Sequence, residues 1–257
     1  MTVSTRDLAV VARFGGRLYW RDKVALSTSV TLSLGLGIGM PLLMDRLRGG
    51  AEAVLDAHLG VLAMILVIAT FNQITVTLTA RRDQLLLKRM RSTGLSDRDV
   101  LGGEIGNLVV QTTLLTAVVS VALYATTGLP VPRDPLLYLV AVVAGVTVLC
   151  LLGAAFTAAV PRTEVAGVMT MPFFFLAGAA AGGFGPLLEM LPGWVGTVLG
   201  FLPTGAVVDL ARTAYAPGGT LAGDLQAAAV PLLTLAGWAL LGLFAIARWF
   251  RWEPRRS

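Results

Sequence analysis

Charged residues are scarce in this sequence: Asp, Glu, Lys and Arg together make up only 14% of its 257 residues. A soluble globular domain usually carries about 25%. Hydrophobic residues reach 56%, the mean hydropathy is +0.78, and several apolar runs exceed the roughly 18 residues that distinguish a membrane span from a buried core helix. The scarcity of charge excludes an ordinary soluble domain, and the apolar runs predict an all-α membrane protein.

Residues that serve catalysis and metal binding are also scarce. The single cysteine, Cys150, excludes an intrachain disulfide, and the only histidine, His58, has no second ligand at helical spacing, so we expect no metal site. No phosphate loop, no H-E-x-x-H and no G-x-S-x-G occurs, so we expect no catalytic residue and no cofactor held by this chain. Asp209 and Arg212 resemble a lipid head-group transferase motif, but the further aspartates of that chemistry are missing, which disfavours an intramembrane enzyme.

Six apolar runs predict six transmembrane helices, at about residues 24–44, 58–80, 100–127, 135–160, 165–184 and 226–247. A polar loop is expected at 45–57, so that His58 opens the second span. Residues 1–23 combine an arginine stripe with an apolar face, which predicts an amphipathic helix at the membrane interface. Residues 248–257 form a basic, aromatic tail. We expect residues 1–257 to form a single transmembrane domain, with the six-span bundle at 24–247.

The basic residues predict the orientation of the spans. If both termini, the 81–99 loop and the 161–164 turn lie in the cytoplasm, 16 of the 20 Lys and Arg residues are on that side. This asymmetry satisfies the positive-inside rule. It predicts cytoplasmic N- and C-termini, and it explains the net charge of +5 without nucleic acid as a partner.

The segment between the fifth and sixth spans is too interrupted to form one clean span. Residues 185–223 contain four prolines together with charged residues. Irregular backbone at membrane depth is tolerated only where protein or water satisfies its polar groups. We therefore predict short re-entrant helices over 186–215 that dip into the outer leaflet and return.

The longest charged interruption of the apolar sequence is the stretch 80–101, ARRDQLLLKRMRSTGLSDRDVL. Its central residues, 84–91, place leucines and a methionine beside lysine and arginine, which predicts a short helix on the membrane surface. A turn signal, Ser-Thr-Gly, follows at 92–94. Ser96 then precedes Asp99 by three residues, which approximates a capping box at the start of the third span.

This stretch resembles the loop between spans two and three of ABC-2-type permeases, the membrane subunits of one large group of ABC transporters. That loop looks like E-R-E-x-G-T-L-K-R-L-R-x-T-P-L. The residues in register, with Met90 in place of Leu, are Arg82, Asp83, Leu87, Lys88, Arg89, Met90, Arg91, Thr93 and Leu95. The departures are Arg81 for the first acid, Leu85 for Gly, Leu86 for Thr and Gly94 for Pro. A weaker resemblance to the same family lies in residues 191–215, LPGWVGTVLGFLPTGAVVDLARTAY.

The resemblance implies a permease subunit of an ATP-driven exporter in the bacterial plasma membrane. It further implies a second permease subunit, identical or different, and a separate ATPase that binds ATP and Mg²⁺. Permeases of this length mostly resemble drug and antibiotic exporters, while others in the family move lipids, glycans or peptides. The alternative from another class is a membrane sensor or scaffold that transports nothing, and an ATPase reading frame beside this one in the genome would favour the exporter.

The resemblance also implies which residues couple the permease to its ATPase. They are Arg82, Asp83, Leu87, Lys88, Arg89, Met90, Arg91, Thr93, Gly94 and Leu95. Among them, Leu87 and Met90 are expected to supply apolar docking contacts. The start of the third span is expected to transmit the displacement through Ser96, Asp99, Glu104 and Asn107. For Glu104 itself, a salt bridge to the basic loop is favoured over a contact with substrate.

Polar residues in the inner half of the second span give it two polar faces. Thr70, Gln73 and Thr77 share one face, and Asn72 lies on the opposite one. One face would line a transport path while the other packs, although interhelical hydrogen bonds explain both. Together with Gln111 of the third span, the candidate path-lining residues are Thr70, Asn72, Gln73, Thr77 and Gln111. The sequence has no ordered set of intramembrane charges, which favours an amphipathic or lipophilic substrate over a small ion.

Overall fold

The computed structural model describes residues 23–87, 96–181, 193–218 and 221–250. The elements are α1 (Lys23–Arg48), α2 (Ala51–Leu66), a π-helical turn (Val67–Asn72), α3 (Gln73–Asp83), α4 (Asp97–Thr126), α5 (Pro135–Phe156), α6 (Thr163–Ala180), α7 (Gly193–Gly200), α8 (Pro203–Tyr215) and α9 (Leu221–Trp249). No β-strand occurs in these ranges, which confirms the predicted all-α class.

Six helices in the described part of the chain are long and apolar enough to cross a membrane. We call them spans 1 to 6: Val30–Arg48, Ala51–Asp83, Asp99–Thr126, Pro135–Phe156, Thr163–Ala180 and Gly223–Trp249. The predicted number of spans is thus confirmed, whereas the orientation of the termini stays a prediction. Residues 1–22 and 251–257, which include the expected interfacial helix and most of the basic tail, lie outside the described residues.

Span 2 begins earlier than the sequence predicted. α1 ends at Arg48 and α2 begins at Ala51, so a two-residue turn replaces the polar loop expected at 45–57. Gly49 and Gly50 form this turn with φ of 68° and 94°, a conformation that glycine adopts without a steric cost. The prediction was wrong because the acidic residues that open α2, Glu52 and Asp56, lie on its exposed side, while Val54 between them is already buried.

Several other helix boundaries differ from the prediction. α5 ends at Phe156 and α6 at Ala180, earlier than expected, while α9 covers Leu221–Trp249 and is longer than expected at both ends. After Phe156 the chain tightens into three-residue turns, with the N–H of Val160 donating to the carbonyl of Thr157 at 3.2 Å. The apolar composition continues through this turn, so hydropathy alone extends the span too far.

Span 2 is the centre of the bundle. In its most apolar window 83% of the residues are buried, against 17–56% in the other five spans. Every residue from His58 to Val67 is buried, as expected of a helix that is hydrophobic on all sides. The other spans pack around it, and their outer faces carry the exposed hydrophobic side chains that a lipid environment accommodates.

Span 4 approaches its neighbours closely at two glycines. A Cβ at Gly145 would overlap the side chain of Val207 in α8, and a Cβ at Gly153 would lie 2.6 Å from Ile74 Cγ2 and 2.7 Å from the carbonyl oxygen of Phe71. The carbonyl of Gly153 also accepts a hydrogen bond from Thr75 Oγ1 at 3.0 Å. Span 4 therefore crosses span 2 at backbone contact.

We predict that Gly153→Ala destabilises the protein, because the added methyl group meets backbone that cannot give way. Overpacking of this kind typically costs about 1–3 kcal/mol. Gly167→Ala in α6 is the matched control, since a Cβ there would meet nothing within 4 Å. The thermal unfolding midpoint of the purified protein in detergent reports the effect, and equal midpoints for the two variants would contradict the close packing.

α7 and α8 meet at a bend of 82°. Pro203 occupies the first turn of α8, where its missing N–H costs little. At the bend, Trp238 Nε1–H of α9 donates a hydrogen bond to the carbonyl of Phe201 at 2.7 Å. The described residues 193–215 therefore form two short helices, as predicted, while residues 182–192 of the same segment lie outside the described ranges.

Candidate functional site

The last three residues of span 2 each hold a different neighbouring element. Arg81 Nη1 donates to Glu104 Oε1 of α4 at 2.6 Å, and the two side chains are only 8% and 5% exposed. The sequence favoured a salt bridge from Glu104 to the basic loop, and the partner lies at the start of that loop. This buried ion pair joins span 2 to span 3.

Arg82 lies against the end of span 4 and is 1% exposed. Its Nη1 donates to the carbonyl of Thr157 at 3.0 Å, and its Nη2 donates to Val160 at 2.8 Å and to Pro161 at 3.4 Å. The last carbonyls of a helix lack partners within the helix, and that end carries a partial negative charge. The guanidinium group therefore stabilises the turn that links spans 4 and 5.

Asp83 holds the start of span 5. Its Oδ2 accepts hydrogen bonds from the backbone N–H of Thr163 at 2.9 Å and from Thr163 Oγ1 at 2.7 Å. Arg162, at the cap position of α6, makes no side-chain capping bond, so a carboxylate 80 residues away satisfies the helix N-terminus. We call Arg81, Arg82 and Asp83 the span 2 junction. Together they connect the end of span 2 to span 3 and to the turn between spans 4 and 5.

The chain turns at residues 84–85, directly after the junction. Leu87 then packs into the main hydrophobic core with 0% exposure, so its side chain is not at the surface of this chain, and its role as an apolar docking contact for an ATPase stays a prediction. A run of leucines does not reveal which one faces inward, and here this one does. The other coupling residues beyond the turn, Lys88, Arg89, Met90, Arg91, Thr93, Gly94 and Leu95, lie outside the described residues.

Leu85 adopts a φ of 56°, the left-handed conformation that costs a residue with a Cβ roughly 1–2 kcal/mol. No other non-glycine residue in the described ranges has a positive φ. The ABC-2 loop that this stretch resembles has Gly at the equivalent place. Leu85 therefore replaces a glycine of that pattern, yet the backbone keeps the left-handed conformation that glycine favours.

We predict that Leu85→Gly raises the thermal unfolding midpoint, while Leu85→Val lowers it. Glycine removes the left-handed strain, valine increases it because of its β-branch, and the side chain is 43% exposed, so little burial is lost. We expect the two variants to differ by about 1–2 kcal/mol. A valine variant as stable as the glycine variant would contradict a fixed left-handed turn.

The predicted capping box at the start of α4 is present. Ser96 Oγ accepts from the N–H of Asp99 at 3.2 Å, and Asp99 Oδ2 accepts from the N–H of Ser96 at 3.1 Å. Glu104, seven residues into the same helix, receives Arg81. The start of span 3 is thus a capped, rigid helical end attached to the junction, while its role in transmission stays a prediction.

Two of the candidate path-lining residues of span 2, Thr70 and Asn72, form local or interhelical hydrogen bonds. Thr70 is fully buried and its Oγ1 donates to the carbonyl of Leu66. Asn72 Oδ1 accepts from Thr170 Oγ1 of α6 at 2.7 Å. None of the five candidates, Thr70, Asn72, Gln73, Thr77 and Gln111, is among the described residues that line a cavity of about 780 Å³ inside the bundle.

The π-helical turn at 67–72 changes which of these residues share a face of span 2. A π-helical turn bonds residues five apart, so positions before and after it are not related by 3.6 residues per turn. Gln73 and Thr77 lie beyond this turn and are half-buried. Gln111 Nε2 donates to Asn107 Oδ1 at 2.9 Å, a bond along α4 itself.

This cavity of about 780 Å³ lies among spans 2, 4, 5 and 6 and the bend between α7 and α8. Three rings in its wall, Phe71, Phe156 and Phe173, pack with centroids 4.7–5.5 Å apart. Trp238 lies in the wall as well, and Arg248 is the one charged residue among those that line it. We call this the aromatic cavity. Sequence reasoning missed it because its lining comes from four spans, and scattered phenylalanines gave the only signal.

A polar cluster lies near the opposite end of span 2. The imidazole Nε2 of His58 is 3.1 Å from the Tyr138 hydroxyl, which is 3.2 Å from Ser120 Oγ. The Tyr124 and Tyr215 hydroxyls are 2.7 Å apart. The histidine is buried in the core as a hydrogen-bonding group, and the described residues contain no group of three potential ligands that would hold a metal ion.

Comparison with known proteins gives one family. Residues 42–248, more than half of the chain, match the model of the family described as "ABC-2 family transporter protein". A search of the curated proteins finds no match for the chain. The matched range begins in span 1 and ends in the last turn of span 6. It contains the junction and the residues that line the aromatic cavity, except Trp249 and Phe250.

Proposed function

The chain belongs to the ABC-2 transporter family, and we propose that it is the membrane-spanning permease subunit of an ATP-driven exporter. The family match supports a membrane transport component that is not itself catalytic. The finer assignment, to an exporter coupled to a separate ATPase subunit, is supported by the span 2 junction. That single observation carries the proposal.

The mechanical argument follows from the contacts of the junction. A permease without a phosphate loop receives the energy of ATP hydrolysis only as displacement of a loop that contacts the ATPase. The loop after residue 83 begins at a point where Arg81 holds span 3 and where Arg82 and Asp83 hold the turn between spans 4 and 5. Movement of this loop would therefore displace spans 2, 3, 4 and 5 together. A loop that served only as a basic anchor in the membrane would not need these contacts.

We propose that two permease subunits, identical or different, assemble with two ATPase subunits that bind ATP and Mg²⁺. The complex would lie in the bacterial plasma membrane with both permease termini in the cytoplasm. Its substrate would be an amphipathic or lipophilic molecule such as a drug or antibiotic. A lipid, glycan or peptide as substrate is the alternative within the family, and a sensor or scaffold is the alternative outside it.

Purification together with a candidate ATPase, such as any ATPase that is encoded beside this chain, tests the assignment. We expect a stable complex that hydrolyses ATP, and we expect the rate of hydrolysis to change when the complex is reconstituted in membranes. A chain that stays monomeric and binds no candidate ATPase would contradict the permease assignment.

The coupling loop gives a more specific prediction. Arg89→Glu combined with Arg91→Glu should abolish transport and transport-linked ATP hydrolysis while membrane insertion stays intact, because the charge partners of the ATPase would be reversed. Arg46→Glu with Arg48→Glu is the matched control, with the same spacing and charge change at the exposed end of α1. Export assays in vesicles measure the difference. Normal export by the variant at residues 89 and 91 would mean that this loop only fixes the orientation of the chain in the membrane and does not couple it to the ATPase.

A further inference from the structure

We propose that the aromatic cavity binds an anionic amphiphile, with its apolar part among the aromatic rings and its anionic group at Arg248. The inference rests on the proposed function and deepens it, since it names the class of substrate that the permease admits. It also places the point where the substrate enters in the cavity of a single subunit, and not along the polar face of span 2.

The lining of the cavity excludes polar contacts over most of its length. Its residues are aliphatic or aromatic, apart from Thr204 at the bend and Arg248 at the end of α9. The indole N–H of Trp238 is already donated to the carbonyl of Phe201 at 2.7 Å. A ligand therefore has to be apolar along its body, and about 780 Å³ lies within the roughly 300–1,000 Å³ of small-molecule sites.

Charge decides between an anion and a cation. Aromatic walls alone would also suit a lipophilic cation, but no acidic residue is among the described residues that line the cavity, and Arg248 would repel a cation. Arg248 is exposed and forms no ion pair with any described residue. A guanidinium group pairs well with carboxylate or phosphate, so the head group is anionic.

The position of Arg248 identifies the leaflet from which the ligand comes. Ala158 and Ala159 line the cavity at the same end, and they belong to the turn that Arg82 holds at Thr157 and Val160. This is the end of the bundle that we propose to face the cytoplasm. Trp249, 55% exposed, lies beside Arg248 in the lining, as an aromatic residue at a membrane interface does. The amphiphile therefore enters from the inner leaflet. Its apolar part enters the cavity first, and its anionic head group stays at Arg248.

Photolabelling of the full chain in lipid nanodiscs tests the site, with diazirine-bearing stearate as the probe and the corresponding amine and alcohol as comparisons. We expect stearate to label α5, α6 and α9 at residues of the cavity, and to do so more than the amine or the alcohol. Arg248→Gln should reduce cavity labelling roughly tenfold, the factor expected when one charge-assisted contact is lost. Arg162→Gln, an exposed arginine in the adjacent turn, should leave it unchanged.

A second pair of variants tests the cavity independently of charge. Ala245→Phe fills the cavity from α9 and should abolish labelling there, whereas Ala247→Phe, exposed on the same helix, should not. Equal labelling by the amine, label spread over all membrane-facing surfaces, or no effect of either cavity variant would overturn the proposal.

The assembled complex distinguishes a substrate from a resident lipid. In that complex, ATP should release stearate probe bound before photolysis from the wild-type cavity. Probe that stays bound through many rounds of hydrolysis would be a structural lipid, and the substrate assignment would be wrong. Labelling needs no ATPase, so failure of the chain to assemble would contradict the proposed function without altering the binding result.

Discussion

Glu104→Leu is expected to lower the free energy of unfolding by about 3–5 kcal/mol, the cost of leaving one member of a buried ion pair without its partner. Arg81 and Glu104 are 8% and 5% exposed, so water would not rescue the remaining guanidinium group. The same substitution at Asp56, whose pair with Arg212 is 55% and 53% exposed, should change stability by at most about 1 kcal/mol. Chemical denaturation of the purified protein in detergent measures both.

The double variant Arg81→Met, Glu104→Leu separates the loss of a pair from the burial of a lone charge. Replacing both members with apolar residues of similar volume is often neutral or stabilising. We therefore expect the double variant to recover most of the stability that Glu104→Leu loses. A double variant as unstable as the single one would mean that the pair itself, and not the isolated charge, holds span 2 against span 3.

The sequence predicted those parts of the fold that depend on local pattern. Six spans follow from apolar runs of sufficient length, and the capping box at Ser96 and Asp99 follows from two residue types three positions apart. The short helices at 193–215 follow from prolines and glycines that prevent one continuous span. Each of these features is determined within one stretch of chain, so a single sequence contains the information.

The parts that failed depend on distant partners or on small changes of helical register. Asp83 caps α6 from 80 residues away, and nothing near either residue indicates the pairing. The π-helical turn at 67–72 changes which residues share a face, and an apolar sequence such as VIATFN does not predict it. The resemblance to ABC-2 permeases implies that Leu87 is a docking contact, and nothing in the local sequence shows that its side chain packs into the core of its own chain.

The aromatic cavity failed to appear in the sequence for a related reason. Its rings come from three different elements, and phenylalanine in a membrane span ordinarily faces lipid or another helix. Only the bend between α7 and α8, together with the end of α9, encloses the space between them. A site that is assembled from four spans requires the fold before it can be recognised.

Arg82→Gln is expected to abolish export while the bound ATPase continues to hydrolyse ATP. Arg82 is on the membrane side of the loop, so the surface that meets the ATPase stays intact, but the carbonyls of Thr157 and Val160 lose their guanidinium donor. Hydrogen bonds to charged groups contribute about 1.5–3 kcal/mol each, so displacement of the loop would no longer move the turn between spans 4 and 5. Arg82→Lys should recover little, because one ammonium group cannot reproduce the planar fork of the guanidinium.

Two controls keep this prediction separate from misfolding and from loss of docking. Arg162→Gln removes an exposed arginine from the same turn and should export normally. Asp83→Ala removes the cap on α6 together with the 3.6 Å contact between Asp83 Oδ1 and Arg82 Nε, but it leaves the bonds from Arg82 to Thr157 and Val160 in place. It should therefore insert and assemble normally yet export less per ATP hydrolysed. The ratio of substrate exported to ATP hydrolysed in reconstituted vesicles is the measurement. Loss of hydrolysis along with export would place Arg82 in docking, and an unchanged ratio in both Arg82→Gln and Asp83→Ala would show that the junction is structural and that force enters the bundle elsewhere.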